Sequence, residues 1–265
     1  MFSKLPGLLY LFYCNCKLSL DRDMAYRADF FLNLLISLVF TSMGPIVQYL
    51  IFTQTNGYPG WNTDQILLFQ GILLLSMGFN NTVLSEVRGK AVDIMRNGDF
   101  DRYLIKPFPA IGLLLVGGFS LKHVGSLIAG TVITTYMLVK MHLTPSFLDI
   151  VLFLWFIAAA VFVYMGLTII FCGLVIVLIQ MGRLGDFFNN VLRFAGYPTE
   201  IYSGLFRTAF VTLLPLAVLA YFPTQALLHR LDWNMVWGSF GALLIFVLSL
   251  KFWNRCIHKY TSAGG

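Results

Sequence analysis

From Phe147 to Ile179 the chain reads FLDIVLFLWFIAAAVFVYMGLTIIFCGLVIVLI, 33 residues in which Asp149 is the one charge. A helix rises about 1.5 Å per residue, so crossing about 30 Å of hydrocarbon takes about 20 apolar residues. The run is long for one crossing and short for two, and it reads as one tilted helix that reaches into an interface. The whole chain has the same character. It is 58% apolar over 265 residues and only 11% charged, against about 25% charged for an ordinary soluble domain. Mean hydropathy is +0.78. With 18 Lys and Arg and 12 Asp and Glu, a soluble globule could not cover itself. A cytosolic enzyme, a secreted disulfide scaffold and a disordered chain are excluded, which leaves a polytopic membrane protein.

Working outward, Ser120–Val139, Gln65–Thr82 and Phe30–Phe52 are spans on one side of the long run, and Val236–Phe252 is a clean final span on the other. Pro45 falls late in the first span, where a kink is tolerated. The net charge of +6 is scattered among these runs, so it reports topology rather than a nucleic-acid partner. The N-terminal arm carries four Lys and Arg, the Thr53–Asp64 loop none, the Val83–Ala110 loop five and the tail from Lys251 three. The positive-inside rule therefore makes both termini and the second loop cytoplasmic.

Both ends inside requires an even number of crossings, so Gln180–Arg230 must supply a sixth. In one arrangement Gly182–Gly196 is a polar-faced fifth crossing and Tyr197–Leu228 dips into the outer leaflet and returns. In the other, Gly182–Phe206 stays cytoplasmic and Thr208–Leu228 crosses. Prolines 198, 215 and 223 favour the first, because they suit a broken re-entrant element better than a straight helix. Hydropathy alone favours the second. The first arrangement gives an all-α membrane domain over residues 1–265, with an arm at 1–29, a loop helix within 83–110 and a re-entrant element at 197–228.

The N-terminus has an apolar stretch from Leu8 to Cys14, but no small-x-small cleavage site follows and the next residues are dense in charge. It reads as an interfacial amphipathic helix, with Leu8, Leu9, Phe12 and Tyr13 down and Lys4, Lys17 and Arg22 toward headgroups. Cys14, Cys16, Cys172 and Cys256 have no zinc or redox spacing. No phosphate-binding loop, nucleophile elbow or H-E-x-x-H motif occurs, and the histidines at 123, 142, 229 and 258 are scattered. No catalytic, cofactor or metal site is expected. Gly117, Gly118 and the glycines within spans are read as permitting close helix packing.

Polar residues within apolar surroundings are costly and usually face protein or water. Asp186, Asn189, Asn190 and Arg193 recur at spacings of three or four, along one side of a helix. They either line a translocation path, braced by an Asp186–Asn190 contact, or form a solvated interfacial stripe. Gln70, Asn80 and Asn81 in the second span are further path candidates, which helix–helix hydrogen bonding explains equally well. The sharper signal is the loop from Val83 to Phe108, VLSEVRGKAVDIMRNGDFDRYLIKPF. Val87, Ala91, Ile94 and Met95 share a helical face edged by Glu86, Lys90, Asp93 and Arg96, and Gly98 ends the helix. A short amphipathic helix of this kind can dock into a groove of another protein.

The loop is similar to those of permease subunits of type-2 ABC exporters, in the pattern Glu86-x-Arg88 followed by Gly98-Asp99-Phe100-Asp101-x-x-Leu104-x-Lys106-Pro107. The likeness is nearest to the small-permease branch that includes viologen and drug exporters. It continues in Phe194-x-x-Tyr197-Pro198-x-x-Ile201-Tyr202, in Leu214-Pro215, in Tyr221-Phe222-Pro223 and in Tyr260-Thr261-Ser262-Ala263. The resemblance implies six transmembrane helices with an N-terminal elbow helix, a cytoplasmic coupling helix after the second span, and re-entrant helices after the fifth crossing. It also implies a multi-pass protein of a bacterial-type plasma membrane, surrounded by lipid and paired with a second, homologous or identical permease. Two copies of a separate ATPase subunit would bind ATP and Mg, and this chain would supply no hydrolytic residue. Carried over by position, Glu86, Arg88, Asp93, Arg96, Asp99, Asp101 and Arg102 would form the ATPase contact. The family pattern often has Arg before the proline; here it is Lys106. The expected activity is ATP-driven export of an amphipathic or hydrophobic substrate. Two rivals are an ion-coupled secondary transporter and an integral membrane enzyme such as a lipid transferase. The first needs an ionisable relay and usually a repeat; the second needs clustered acids or histidines.

Overall fold

The structure, a computed structural model, describes residues 5–178 and 183–261, and the described residues form helices joined by short connections. Lys4, Ile179, Gly182 and, in the terminal motif, Ser262 and Ala263 lie outside them.

Helices α1 (Leu5–Ala25), α2 (Arg27–Gln54) and α3 (Thr63–Arg96) are followed by the short α4 (Phe100–Leu104) and α5 (Ala110–Val116). Then come α6 (Val124–Lys140), α7 (Phe147–Val177) and α8 (Leu184–Arg193). Broken elements follow: short 3-10 turns, α9 (Gly204–Thr208), a π-helical turn at Ala209–Leu213 and α10 (Tyr221–Leu227). Helix α11 (Trp233–Ile257) closes the chain. Four helices (α2, α3, α7 and α11) are long and apolar enough to cross a membrane, and α5 with the 121–140 stretch makes a fifth candidate bent by 50°. Each coincides with a run expected to span. Within that run Phe147–Val177 forms one helix, α7, capped at its start by Ser146, whose hydroxyl accepts from the Asp149 N–H.

One difference concerns the second span. The amphipathic helix expected in the loop after it is not separate: α3 continues unbroken for 34 residues to Arg96. Its backbone hydrogen bonds are satisfied within the helix whether the surroundings are lipid or water, so the change to polar composition at Val83 does not end it. Gly98 does, at φ 71°. The Gly98 N–H donates to the Met95 carbonyl and the Asp99 N–H to the Ile94 carbonyl, a Schellman stop that only the left-handed glycine permits without strain.

Helix α6 packs along α3, and α11 along α7. The α3–α6 seam is close because of glycine: a Cβ on Gly130 would sit 2.4 Å from the Leu75 nitrogen, and one on Gly78 2.8 Å from the Leu127 nitrogen. Contacts of this kind between backbones are what hold helices together where lipid removes the hydrophobic drive. The expected role of span glycines is met here.

The bundle has two ends. At the charged end Asn15 Nδ2 donates to the Val116 carbonyl at 2.9 Å, Lys122 pairs with Glu86 at 3.0 Å, and Phe100 is buried against Trp253 and Tyr260. At the opposite end Lys140 pairs with Asp64 at 2.6 Å and His229 meets Asp149 at 2.9 Å. Helix α1 divides its expected membrane face. Leu8 is buried against Gly112 and Phe12 sits edge-on to Phe119, while Leu9 and Tyr13 are exposed.

The difficult stretch runs between the two ends. Gly185 and Asp186 lie beside Gly89 and Asp93 of α3. The Gly196 carbonyl accepts from Gln70 Nε2 at 3.0 Å, and Glu200 accepts from Trp61 Nε1 at 3.2 Å. Residues 184–201 thus run along the length of α3. Helix α8 itself has only 10 residues, a rise of about 15 Å; 3-10 turns at Phe194–Gly196 and Thr199–Ile201 carry the chain further. Beyond Tyr197 the path is broken, and 216–228 is buried beneath the start of α7.

Candidate functional site

A cavity of about 750 Å³ lies between α2, α3, α7 and α8. Helix α3 gives it Gln70, Leu73, Met77, Asn81, Ser85 and Arg88. These positions step by three or four, so they form one stripe about 27 Å long. Facing it, α8 and the turn after it supply Asn189, Leu192, Arg193 and Gly196, a second stripe at helical spacing. Met43, Gly44, Val47 and Gln48 of α2 close one side. Gly71 and Gly78 of α3 point the other way, into α6, so one helix both locks the bundle and lines the hole.

Polar groups gather toward the charged end. Arg88 Nη1 donates to Asn189 Oδ1 at 3.0 Å, and Nη2 donates to the Tyr164 hydroxyl at 3.4 Å. That hydroxyl in turn donates to Asn81 Oδ1 in a short bond. The chain Asn189–Arg88–Tyr164–Asn81 therefore ties α8, α3 and α7 together. Ser85, Arg88 and Asn189 also line a second cavity of about 370 Å³, whose other walls include Asp93 and Asp186. The Arg88–Asn189 bond is thus a partition between the main cavity and an acidic mouth. At the other end of the stripe, Gln70 holds Gly196, and Gln48 accepts from the Tyr58 hydroxyl at 2.8 Å.

The path candidates divide on this geometry. Gln70, Asn81, Asn189 and Arg193 line the main cavity, and Asp186 lines the mouth. Asn80 is buried elsewhere, its Nδ2 donating to the Ser76 carbonyl of its own helix. Asn190 lines neither cavity. Tyr164, Gln48, Ser85 and His123 belong to the cavity and were not expected. The stripe period counted from Gln70 leads to Ser85; Tyr164 gives no signal, because in an apolar run a phenol reads as one more aromatic.

The docking candidates divide as well. Arg88 is turned into the cavity, and Glu86 is held by Lys122. Asp93 and Arg96 are exposed near the end of α3. Asp99 pairs with Arg102 at 3.1 Å. Asp101 engages the Tyr260 hydroxyl; burial first, and this carboxylate after it, push that phenol above its usual pKa. Lys106 sits 4.6 Å from the Tyr103 ring centroid, a cation–π contact. The charged end of α3 and α4 is thus a small mixed-charge surface, clamped from behind by α11.

No curated protein and no solved structure matches the chain significantly. The family profile described as ABC-2 family transporter protein matches residues 38–264. That range takes in every wall of the cavity and the charged end of α3 and α4. The chain belongs to the ABC-2 transporter family and is a membrane component of an ABC transporter.

Proposed function

We propose that this chain is the permease subunit of an exporter, that its main cavity is one wall of the translocation path, and that a separate ATPase drives it through the surface at Asp93, Arg96, Asp99 and Arg102. One observation carries the reading. A single unbroken helix, α3, lines the cavity from Gln70 to Arg88 and ends at that exposed charged surface. Force applied at Arg96 is transmitted along a hydrogen-bonded rod to every α3 residue of the cavity.

In this mechanism the charged end faces the cytoplasm, in keeping with its basic loops. Residues 184–201 complete the fifth of six crossings, and α9 and α10 form the re-entrant cap. Two ATPase subunits closing on ATP push the ends of two permeases together. Helix α4 moves with them and takes α11 along through Phe100. The Arg88–Asn189 partition shifts relative to Tyr164, and access passes from one membrane face to the other. Surfaces of mixed charge give the docking its register and partner choice more than raw affinity. The exposed apolar faces of α2 and α11 meet lipid or the second permease.

The test is a vesicle assay on the complex with its ATPase. Asp99→Lys and Arg96→Glu are expected to lower co-purification of the ATPase and to abolish ATP-driven transport without affecting membrane insertion. Full transport by both variants, or activity of the chain with no ATPase present, would overturn the reading.

A further inference from the structure

The cavity has a composition that hydropathy does not disclose. Among its lining residues there are two arginines, 88 and 193, and no Asp or Glu. Among the described residues Arg88 is hydrogen-bonded to the neutral Asn189 and Tyr164. Among the described residues neither arginine forms an ion pair. Asp93 and Asp186 lie in the mouth beyond the Arg88–Asn189 partition, and Glu86, whose charge is felt at the cavity-lining His123, is paired with Lys122. Arg193 stands one turn before Gly196, whose carbonyl is bound by Gln70 two turns into α3. Arg193 therefore lies between the levels of Gln70 and Arg88 along the cavity, within the apolar part of the bundle, where an uncompensated charge is expensive and is kept for a functional partner. Between and beside the arginines the walls are apolar: Met43, Val47, Leu73, Met77 and Leu192.

We propose that the cavity takes an anionic amphiphile, its acidic headgroup between Arg193 and Arg88 and its apolar tail along the methionine, valine and leucine side chains. The inference rests on the cavity being the translocation path and adds the substrate class. It departs from the viologen side of the family resemblance, since a dication entering here would meet two like charges and no carboxylate. A phosphate or carboxylate matches guanidinium forks, which donate two parallel hydrogen bonds. The flexible Met43 and Met77 adapt to tails of varied shape. A headgroup at Arg88 would also compete with Asn189 for the guanidinium, so loading the cavity would loosen the partition behind it.

The test uses the complex in nanodiscs of phosphatidylcholine and measures binding of octyl phosphate, octyltrimethylammonium, octyl glucoside and inorganic phosphate. Octyl phosphate is expected to bind at least about tenfold more tightly than either other octyl compound, the scale of one charge-assisted contact. It should also exceed inorganic phosphate, because the apolar wall contributes. Arg193→Gln and Arg88→Gln should each weaken octyl phosphate about tenfold and leave octyl glucoside unchanged. Arg193→Lys should retain most of the preference, and Arg207→Gln, outside the cavity, should change nothing. Adding phosphatidylglycerol to the disc distinguishes a lipid source, which competes with octyl phosphate, from a soluble amphiphile, which leaves its binding unaltered. Octyltrimethylammonium binding as tightly as octyl phosphate, inorganic phosphate binding equally well, or no binding of octyl phosphate would overturn the proposal. If all three octyl compounds bind alike and Met77→Trp blocks them all, the anion assignment falls while the path stands. ATP-driven transport that survives Met77→Trp removes the path itself.

Discussion

Phe100→Ala separates two roles of the charged end that the docking charges alone cannot separate. Phe100 is fully buried, with its ring 4.9 Å from that of Tyr260 and 6.2 Å from that of Trp253, both edge-on. Its ring packs α4 against Trp253 of α11. Two such pairs contribute about 0.5–1.5 kcal/mol each beyond area burial, and truncating a buried Phe costs about 3–5 kcal/mol in all. About 3 kcal/mol corresponds to a hundredfold shift in the ratio of clamped to released α4. Arg96, Asp99 and Arg102 are untouched, so the ATPase should still co-purify. Hydrogen exchange on the purified complex should rise about hundredfold at amides 100–105, with no change along α3, and the number of molecules transported per ATP should collapse. Phe100→Leu should recover much of both. Exchange and coupling that stay at the wild-type level in Phe100→Ala would refute the idea that α11 is driven through this ring.

Other outcomes follow from single contacts. Gly130→Val places a Cβ about 2.4 Å from the Leu75 backbone, so α3 and α6 must part by about 1 Å at a cost of about 1–3 kcal/mol; the Tm of the complex should fall measurably, and an unchanged Tm would remove that seam from the account. Glu200→Gln takes the charge from the acceptor shared by Trp61 Nε1 and the Tyr221 hydroxyl, so two charge-assisted bonds become neutral ones, and exchange should rise at 199–201 and 221–227 while the charged end stays protected. Asn15→Ala removes the bond to the Val116 carbonyl, worth about 1 kcal/mol, and limited proteolysis should cut the 17–27 region faster; equal rates would deny α1 its anchor on α5.

Much of the scaffold is legible in the sequence because the bilayer asks for one thing, a long apolar run, and Phe30–Phe52 or Val236–Phe252 can hardly be anything else. The limits of α3 were less legible. A drop in hydropathy at Val83 marks where hydrocarbon ends, but a helix ends only where its backbone is stopped, here at Gly98. The same distinction explains Arg88. The family resemblance put it among the docking charges, whereas the helix turns it toward Tyr164, about seven turns below Thr63. Asn80 and Asn81 are adjacent in sequence but 100° apart around the helix axis; only Asn81 falls on the stripe that begins at Gln70. On the other wall, Asn189 and Arg193 were readable as a pair at i, i+4. Asn190 was not separable from them without knowing which face meets α3.

The most direct measurement is the accessibility of a single cysteine at Met77, midway along the α3 stripe, to impermeant thiol reagents from each side of sealed vesicles carrying the complex. Access is expected from the cytoplasmic side without nucleotide and from the far side when ATP is bound, with Asp99→Lys freezing it in the first state. A cysteine there that reacts identically with and without ATP, or that switches sides as freely in Asp99→Lys, would contradict the claim that α3 joins the motor to the path.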